Sequence, residues 1–266
     1  AIKYYKMAYD KGEPKALGYY ANVLKGGEGG PINPKEIYEM LHSSIHKEES
    51  CYLAYQYAVV LRDGIGVPVD YEGARKYFRI AIDKGLYYVM NDYALMLLKG
   101  KGGPVDIAGA IKYFKMAIDK GDTNAMFQYG QILEKGEGLL RDIKGAIKYY
   151  KMAIDKGNIK VMKYYFNMLF NGLGVPANPK EAMKYLKLAI EKGDPEAMCF
   201  YASLLAKSVI DSHSPIQNPN PISPASLYEA TRYYKMAIDK EYVPAMIGYA
   251  EMLTKANLNL SEAAKY

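Results

Sequence analysis

AIKYFKMAIDKG, residues 110–121, decides how this chain is read, because it recurs almost letter for letter along the whole length. Copies stand as AIKYYKMAYDKG from Ala1, ARKYFRIAIDKG from Ala74, AIKYYKMAIDKG from Ala146, AMKYLKLAIEKG from Ala182 and ATRYYKMAIDKE from Ala230. A worn copy, IYEMLHSSIHKE, begins at Ile37. Successive copies start 36, 37, 36, 36, 36 and 48 residues apart. A fixed period of this length marks a solenoid, in which each unit buries its apolar face against its neighbours. Such a chain is expected to bind rather than to transform.

Counting the first residue of each copy as position zero, positions 0, 3, 4, 7 and 8 are Ala, Tyr, an aromatic or leucine, Ala and Ile. In the fourth copy these are Ala110, Tyr113, Phe114, Ala117 and Ile118. That spacing is one apolar stripe on an α-helix. Each first helix is expected to stop at Lys-Gly, as at Lys120-Gly121, where glycine takes a left-handed conformation. A second helix follows, typified by NAMFQYGQILEKG from Asn124 to Gly136. Its leucine recurs as Leu24, Leu61, Leu97, Leu133, Leu169, Leu205 and Leu253. Its tyrosine recurs as Tyr20, Tyr57, Tyr93, Tyr129, Tyr165, Tyr201 and Tyr249, and both series are read as core between stacked hairpins.

Glycine loops such as Gly64-Ile65-Gly66-Val67-Pro68 and Gly172-Leu173-Gly174-Val175-Pro176 lead to the next unit. A phosphate cradle needs a preceding strand, and these loops follow helices, so they are read as turns. The chain is thus expected to be all-α: a right-handed α–α superhelix of about seven helix-turn-helix repeats of about 36 residues. Units start near residues 1, 37, 74, 110, 146, 182 and 230, with a partial unit from 261, in one domain spanning 1–266.

The order EAxKYYKxAxxKG, AMxxYAxxL, GxGV resembles the Sel-1-like repeat, a relative of the tetratricopeptide repeat. Glu181-Ala182 through Gly193, Ala197 through Leu205 and Gly64 through Val67 carry the motif, and the resemblance covers essentially the whole chain. It implies a scaffold or adaptor for protein partners, with the first helices lining the concave side. It also implies an alternative, a luminal quality-control adaptor, as for the family's founding members. Relatives linked to β-lactam hydrolysis are rich in cysteine, which two distant cysteines do not match.

Positions two and five point away from the stripe and are basic: Lys3 and Lys6, Lys76 and Arg79, Lys112 and Lys115, Lys148 and Lys151, Lys184 and Lys187, Arg232 and Lys235. Stacking makes them a ladder, interrupted at Glu39 and His42, that suits an acidic segment or an acidic polymer surface. Position nine is acidic at Asp10, Asp83, Asp119, Asp155, Glu191 and Asp239, one turn beyond the second base, and is expected to neutralise part of the ladder. A solvated face with no ligand is the competing reading. Met116 and Met152, at position six beside the ladder, offer an adaptable contact surface or pack beneath the next repeat.

Two breaks interrupt the pattern. His42 and His46, four apart on one helix with Cys51 not far along, are a metal-site candidate or a worn, solvated repeat face. SVIDSHSPIQNPNPISPAS, Ser208 to Ser226, lengthens one repeat by 12 residues and is rich in proline, which disfavours regular structure. Ser214-Pro215 and Ser223-Pro224 are candidate regulatory sites within it.

Half of the 266 residues are apolar and 24% are charged, an ordinary soluble balance. The net charge of +6 is mild, and a nucleic-acid binder usually concentrates basic charge more strongly. No apolar run is long enough to span a membrane and no signal peptide opens the sequence. Ala1 and Tyr266 both fall inside repeat helices, so a longer parent protein is expected. Cys51 and Cys199 lie about four repeats apart, which disfavours a disulfide and favours a reducing, cytoplasmic compartment. A single sequon, Asn259-Leu260-Ser261, is the only mark of a luminal location. With three histidines and no nucleophile–base constellation, no enzyme, cofactor or small-molecule substrate is expected.

Overall fold

A computed structural model describes residues 2–11, 34–45, 50–210 and 224–255, with positions 13, 16, 18, 19 and 23. Among the described residues there are thirteen α-helices and no strand. The first helices of the repeats are α1 (Ile2–Asp10), α2 (Pro34–Ile45), α4 (Tyr71–Asp83), α6 (Ile107–Asp119), α8 (Ile143–Asp155), α10 (Pro179–Glu191) and α12 (Pro224–Ile238). The second helices are α3 (Cys51–Asp63), α5 (Met90–Leu98), α7 (Thr123–Lys135), α9 (Ile159–Asn171), α11 (Pro195–Ile210) and α13 (Val243–Lys255). Tyr20, Leu24, His46, Ser214, Pro215 and Ser223 lie outside the described residues.

Helix starts follow from capping chemistry. The acid or amide that closes each glycine loop accepts a backbone N–H three residues on, as Asp106 does from Gly109 at 2.8 Å and Asn178 from Glu181 at 3.0 Å. Second helices use Asp122, Asn158 and Asp194 in the same way. Leu86 stands at that place before α5 and makes no such bond, and the chain enters that helix through a 3-10 turn, Tyr87–Val89. Second helices stop at Gly64, Gly136 and Gly172, whose φ values of 70°, 76° and 70° are left-handed.

The middle of the glycine loops at Gly66, Gly102 and Gly138 lies against the start of the preceding first helix. A Cβ on Gly66 would overlap the Pro34 carbonyl, and one on Gly102 would overlap that of Tyr71. The loops are therefore close-packed turns, and glycine is required where backbone meets backbone.

The chain forms two compact units, 1–152 and 153–266. In the first, Ala74, Phe78, Ala81, Ala110, Phe114 and Ala117 are wholly buried, or nearly so; in the second, Ala182, Leu186, Ala189, Ala230, Tyr234 and Ala237 are. Positions 0, 4 and 7 are thus the core, as the stripe predicts. Position three departs from it: Tyr77, Tyr113, Tyr149, Tyr185 and Tyr233 are only half-buried. Second helices α3, α5 and α11 pack more extensively on the following first helix than on their own, and α9 packs closely on α10. The proline-rich stretch differs in part from expectation. Residues 208–210 continue α11 and Pro224 opens α12, so the insertion lengthens both flanking helices to 16 and 15 residues, against 13 in α9 and α10. No described helix is long and apolar enough to cross a membrane.

Candidate functional site

The bases at positions two and five are exposed in both units: Lys76, Arg79, Lys112, Lys115, Lys148 and Lys151 in the first, Lys184, Lys187, Arg232 and Lys235 in the second. Position five sits over the second-helix tyrosine of its own repeat. Nζ of Lys115 is 5.4 Å from the ring centre of Tyr129, that of Lys187 5.9 Å from Tyr201, and that of Lys235 5.6 Å from Tyr249. At exposed sites such a cation–ring contact contributes about 0.5–1 kcal/mol. Arg79 makes the equivalent contact by donating a hydrogen bond to Tyr93. At position two, Lys76 and Lys112 stand 5.7 and 6.0 Å from the rings of Tyr77 and Tyr113 beside them.

Those tyrosines are themselves paired. The second-helix ring meets the position-three ring of the next repeat edge to face: Tyr57–Tyr77 at 4.7 Å, Tyr93–Tyr113 at 4.8 Å and Tyr129–Tyr149 at 4.9 Å in the first unit. Tyr165–Tyr185 at 4.7 Å and Tyr201–Tyr233 at 5.0 Å repeat it in the second. This geometry sets the positive edge of one ring on the negative face of the other. Burial, then the neighbouring phenol, pushes the Tyr113 and Tyr149 hydroxyls up from their ordinary pKa, and Tyr165 up to about 12. The phenols therefore keep their protons at neutral pH and can donate.

Of the position-nine acids, Asp83 pairs with the second base of its helix as expected. Arg79 and Asp83 stand 3.8 Å apart with side chains 62% and 63% exposed, whereas Lys115 and Lys187 reach rings. Met116 is exposed and Met152 half-buried, while Met236 packs on the core of the second unit. Outside repeat two, each described rung of the face is thus two bases, an acid and two tyrosines. The second-helix tyrosines Tyr57, Tyr93, Tyr129, Tyr165, Tyr201 and Tyr249 are buried core, as the sequence predicts, whereas the position-three tyrosines reach the surface. Their signal was present in the sequence, since position three keeps its hydroxyl where position four varies among Tyr, Phe and Leu.

His42 is the position-five residue of repeat two, and its Nδ1 lies 2.8 Å from the Tyr57 hydroxyl. It therefore holds the place of the ladder cation. Among the described residues, no three His, Cys, Asp or Glu side chains are grouped to hold a metal ion.

The profile of the Sel1 repeat family matches residues 1–13, 52–86, 88–122, 123–158 and 162–194, more than half of the chain. The chain belongs to the Sel1 repeat family. From residue 52 to 122 the matched segments each take a second helix with the first helix after it, the pairing that packs most closely. Among solved structures, c5321, a protective antigen of uropathogenic Escherichia coli strains displaying an SLR fold, is similar with a TM-score of 0.67 at 19% identity. The similarity covers 100% of this chain and 55% of that one, so this chain spans about half its length. A Sel1 repeat protein from Oxalobacter formigenes gives 0.63 at 21% identity, over 90% of this chain and 100% of that one. The immunity protein Pa5087 from Pseudomonas aeruginosa gives 0.51 at 16% identity, over 87% and 83%. At these identities the likeness is one of fold, an all-α repeat solenoid. No curated protein matches the sequence. Sel1 repeat proteins are generally protein-interaction scaffolds and typically non-catalytic.

Proposed function

We propose that this Sel1 repeat chain is a non-catalytic scaffold or adaptor within a larger assembly, and that its lysine–tyrosine face holds an acidic segment of a partner protein. The observation that carries this reading is the base set against a tyrosine at position five in both units: Arg79 on Tyr93, Lys115 on Tyr129, Lys187 on Tyr201 and Lys235 on Tyr249. A lysine resting on a ring has given up part of its rotamer freedom before any ligand arrives, which lowers the cost of binding. Within each unit, such cations beside protonated phenols match carboxylates spaced along an extended segment. Two free thiols, Cys51 and Cys199, suit a reducing cytoplasmic location.

Changing Lys112, Lys115, Lys148 and Lys151 together to Glu tests the reading. Binding of an Asp/Glu-rich peptide is expected to weaken by at least about tenfold, since like charges then face each other. Circular dichroism should remain helical, because all four side chains are exposed. Unchanged affinity would remove the face from the binding site.

A further inference from the structure

At position five of repeat two, where the basic row was expected to break, the geometry is kept and the chemistry changes. His42 is exposed, and its Nδ1 is 2.8 Å from the hydroxyl of Tyr57, a second-helix tyrosine like those that Arg79, Lys115, Lys187 and Lys235 contact. The imidazole stacks on Tyr38 at 5.5 Å and 23°, and Tyr38 stacks on Tyr57 at 5.8 Å and 26°. Tyr57 then meets Tyr77 edge-on, which joins this cluster to the next rung. A worn, solvated position would not be expected to hold a ring in this way.

We propose that His42 is a further binding residue of the face, whose protonated imidazole supplies the cation of repeat two, so that holding an acidic segment takes up a proton. The inference rests on the reading of the face as a site for acidic segments. With the proton on Nε2 alone, Nδ1 accepts the Tyr57 hydroxyl proton and the rung is uncharged. With both nitrogens protonated, Nδ1–H donates to the phenol oxygen, as Arg79 donates to Tyr93. The rung then carries one positive charge, on the exposed imidazole.

Among the groups around this site are Tyr38 on α2 and Tyr57 on α3; Glu39, three residues before His42 on α2, lies 3.8 Å from Lys35. Behind Tyr57 stand Tyr77 on α4 and Asp70 at the start of that helix. Burial, then the Tyr38 hydrogen bond, pushes Tyr57 well above the ordinary phenol range, so it stays protonated. Imidazole is the side chain whose ordinary charge change falls between pH 5 and 8. His46, one turn further along, lies outside the described residues.

The test measures binding of a labelled Asp-rich peptide at pH 8.0 and 5.5 to the unaltered chain, His42→Lys, His42→Gln and His46→Gln. The unaltered chain and His46→Gln are expected to bind about threefold tighter at pH 5.5, the size of one rim charge. His42→Lys should bind tightly at both pH values and His42→Gln weakly at both. Calorimetry in buffers of different ionisation enthalpy should find proton uptake in the unaltered chain that both His42 variants lack. Binding that is intact but insensitive to pH, or a pH dependence that survives in His42→Gln, overturns the role of His42 and leaves the acidic-partner reading standing. Absence of binding by every protein at both pH values overturns that reading, and this inference with it.

Discussion

Position three of the repeat is tyrosine in six of its seven copies, and the structure gives the reason. Position four is fully enclosed at Phe78, Phe114 and Tyr150, so it needs bulk and accepts Tyr, Phe or Leu, the buried Tyr150 hydroxyl donating to Glu134 at 2.6 Å. Position three needs an apolar ring edge against one neighbour and a polar end at the surface, which Phe or Leu cannot supply. Helical periodicity locates such a residue at the border of the stripe and says nothing about which of its atoms meet water. A second single-residue contrast lies at the helix stop. Gly85, Gly121, Gly157 and Gly193 take φ values of 93°, 88°, 85° and 82°, and repeat seven puts Glu241 in the same place at φ 59°. A side chain in the left-handed region costs about 1–2 kcal/mol, and part of that is offset by the freedom glycine would regain on unfolding. Glu241→Gly is therefore expected to stabilise the second unit by about 0.5–1 kcal/mol, read as a rise in the urea midpoint at constant slope. No change would mean that the turn is relaxed with glutamate in it.

Among the elements, the repeat length was legible and the phase of its packing was not. A periodic sequence can be divided at any point, and only the packing shows that the glycine loop closes the closer pair, such as α3 with α4. Successive second helices are also fastened to each other directly. Lys163 on α9 lies 3.2 Å from Asp194 at the start of α11 and hydrogen-bonds Glu196 in its first turn, with Lys163 and Asp194 only 29% and 13% exposed. Burial works against the ammonium charge, but the bonds to Glu196 and Asp194 outweigh it and hold the Lys163 pKa above its ordinary value. A raised lysine pKa in the folded state stabilises at every pH below the unfolded value of about 10.4 and is lost as pH climbs through the folded one. Lys163→Gln is accordingly expected to cost about 1 kcal/mol. That difference should be constant from about pH 6 to 9 and shrink above about pH 10.5 in urea titrations. A difference growing with alkalinity would contradict the clasp.

Over the whole molecule, 35 bases against 29 acids leave a net charge of +6, modest for a protein read as holding an acidic partner. The bases of the face were legible because they occupy the polar positions of a helix whose period is written out several times. The rings beneath them were not, because Lys115 and Tyr129 belong to different helices and meet only through the fold. This division separates two parts of binding. Long-range attraction acts before contact and is screened by salt, with a Debye length falling from about 30 Å at 0.01 M to about 10 Å at 0.1 M. Preset lysines and phenol donors act after contact, at distances where screening is weak. Stopped-flow measurements with an Asp-rich peptide should therefore show an association rate that falls about tenfold between 10 and 150 mM NaCl. The dissociation rate should change by less than about twofold, because it reports the short-range contacts. An association rate indifferent to salt would exclude the basic rows from the encounter, and a dissociation rate that carried the whole salt effect would place the lysines in the bound complex without steering.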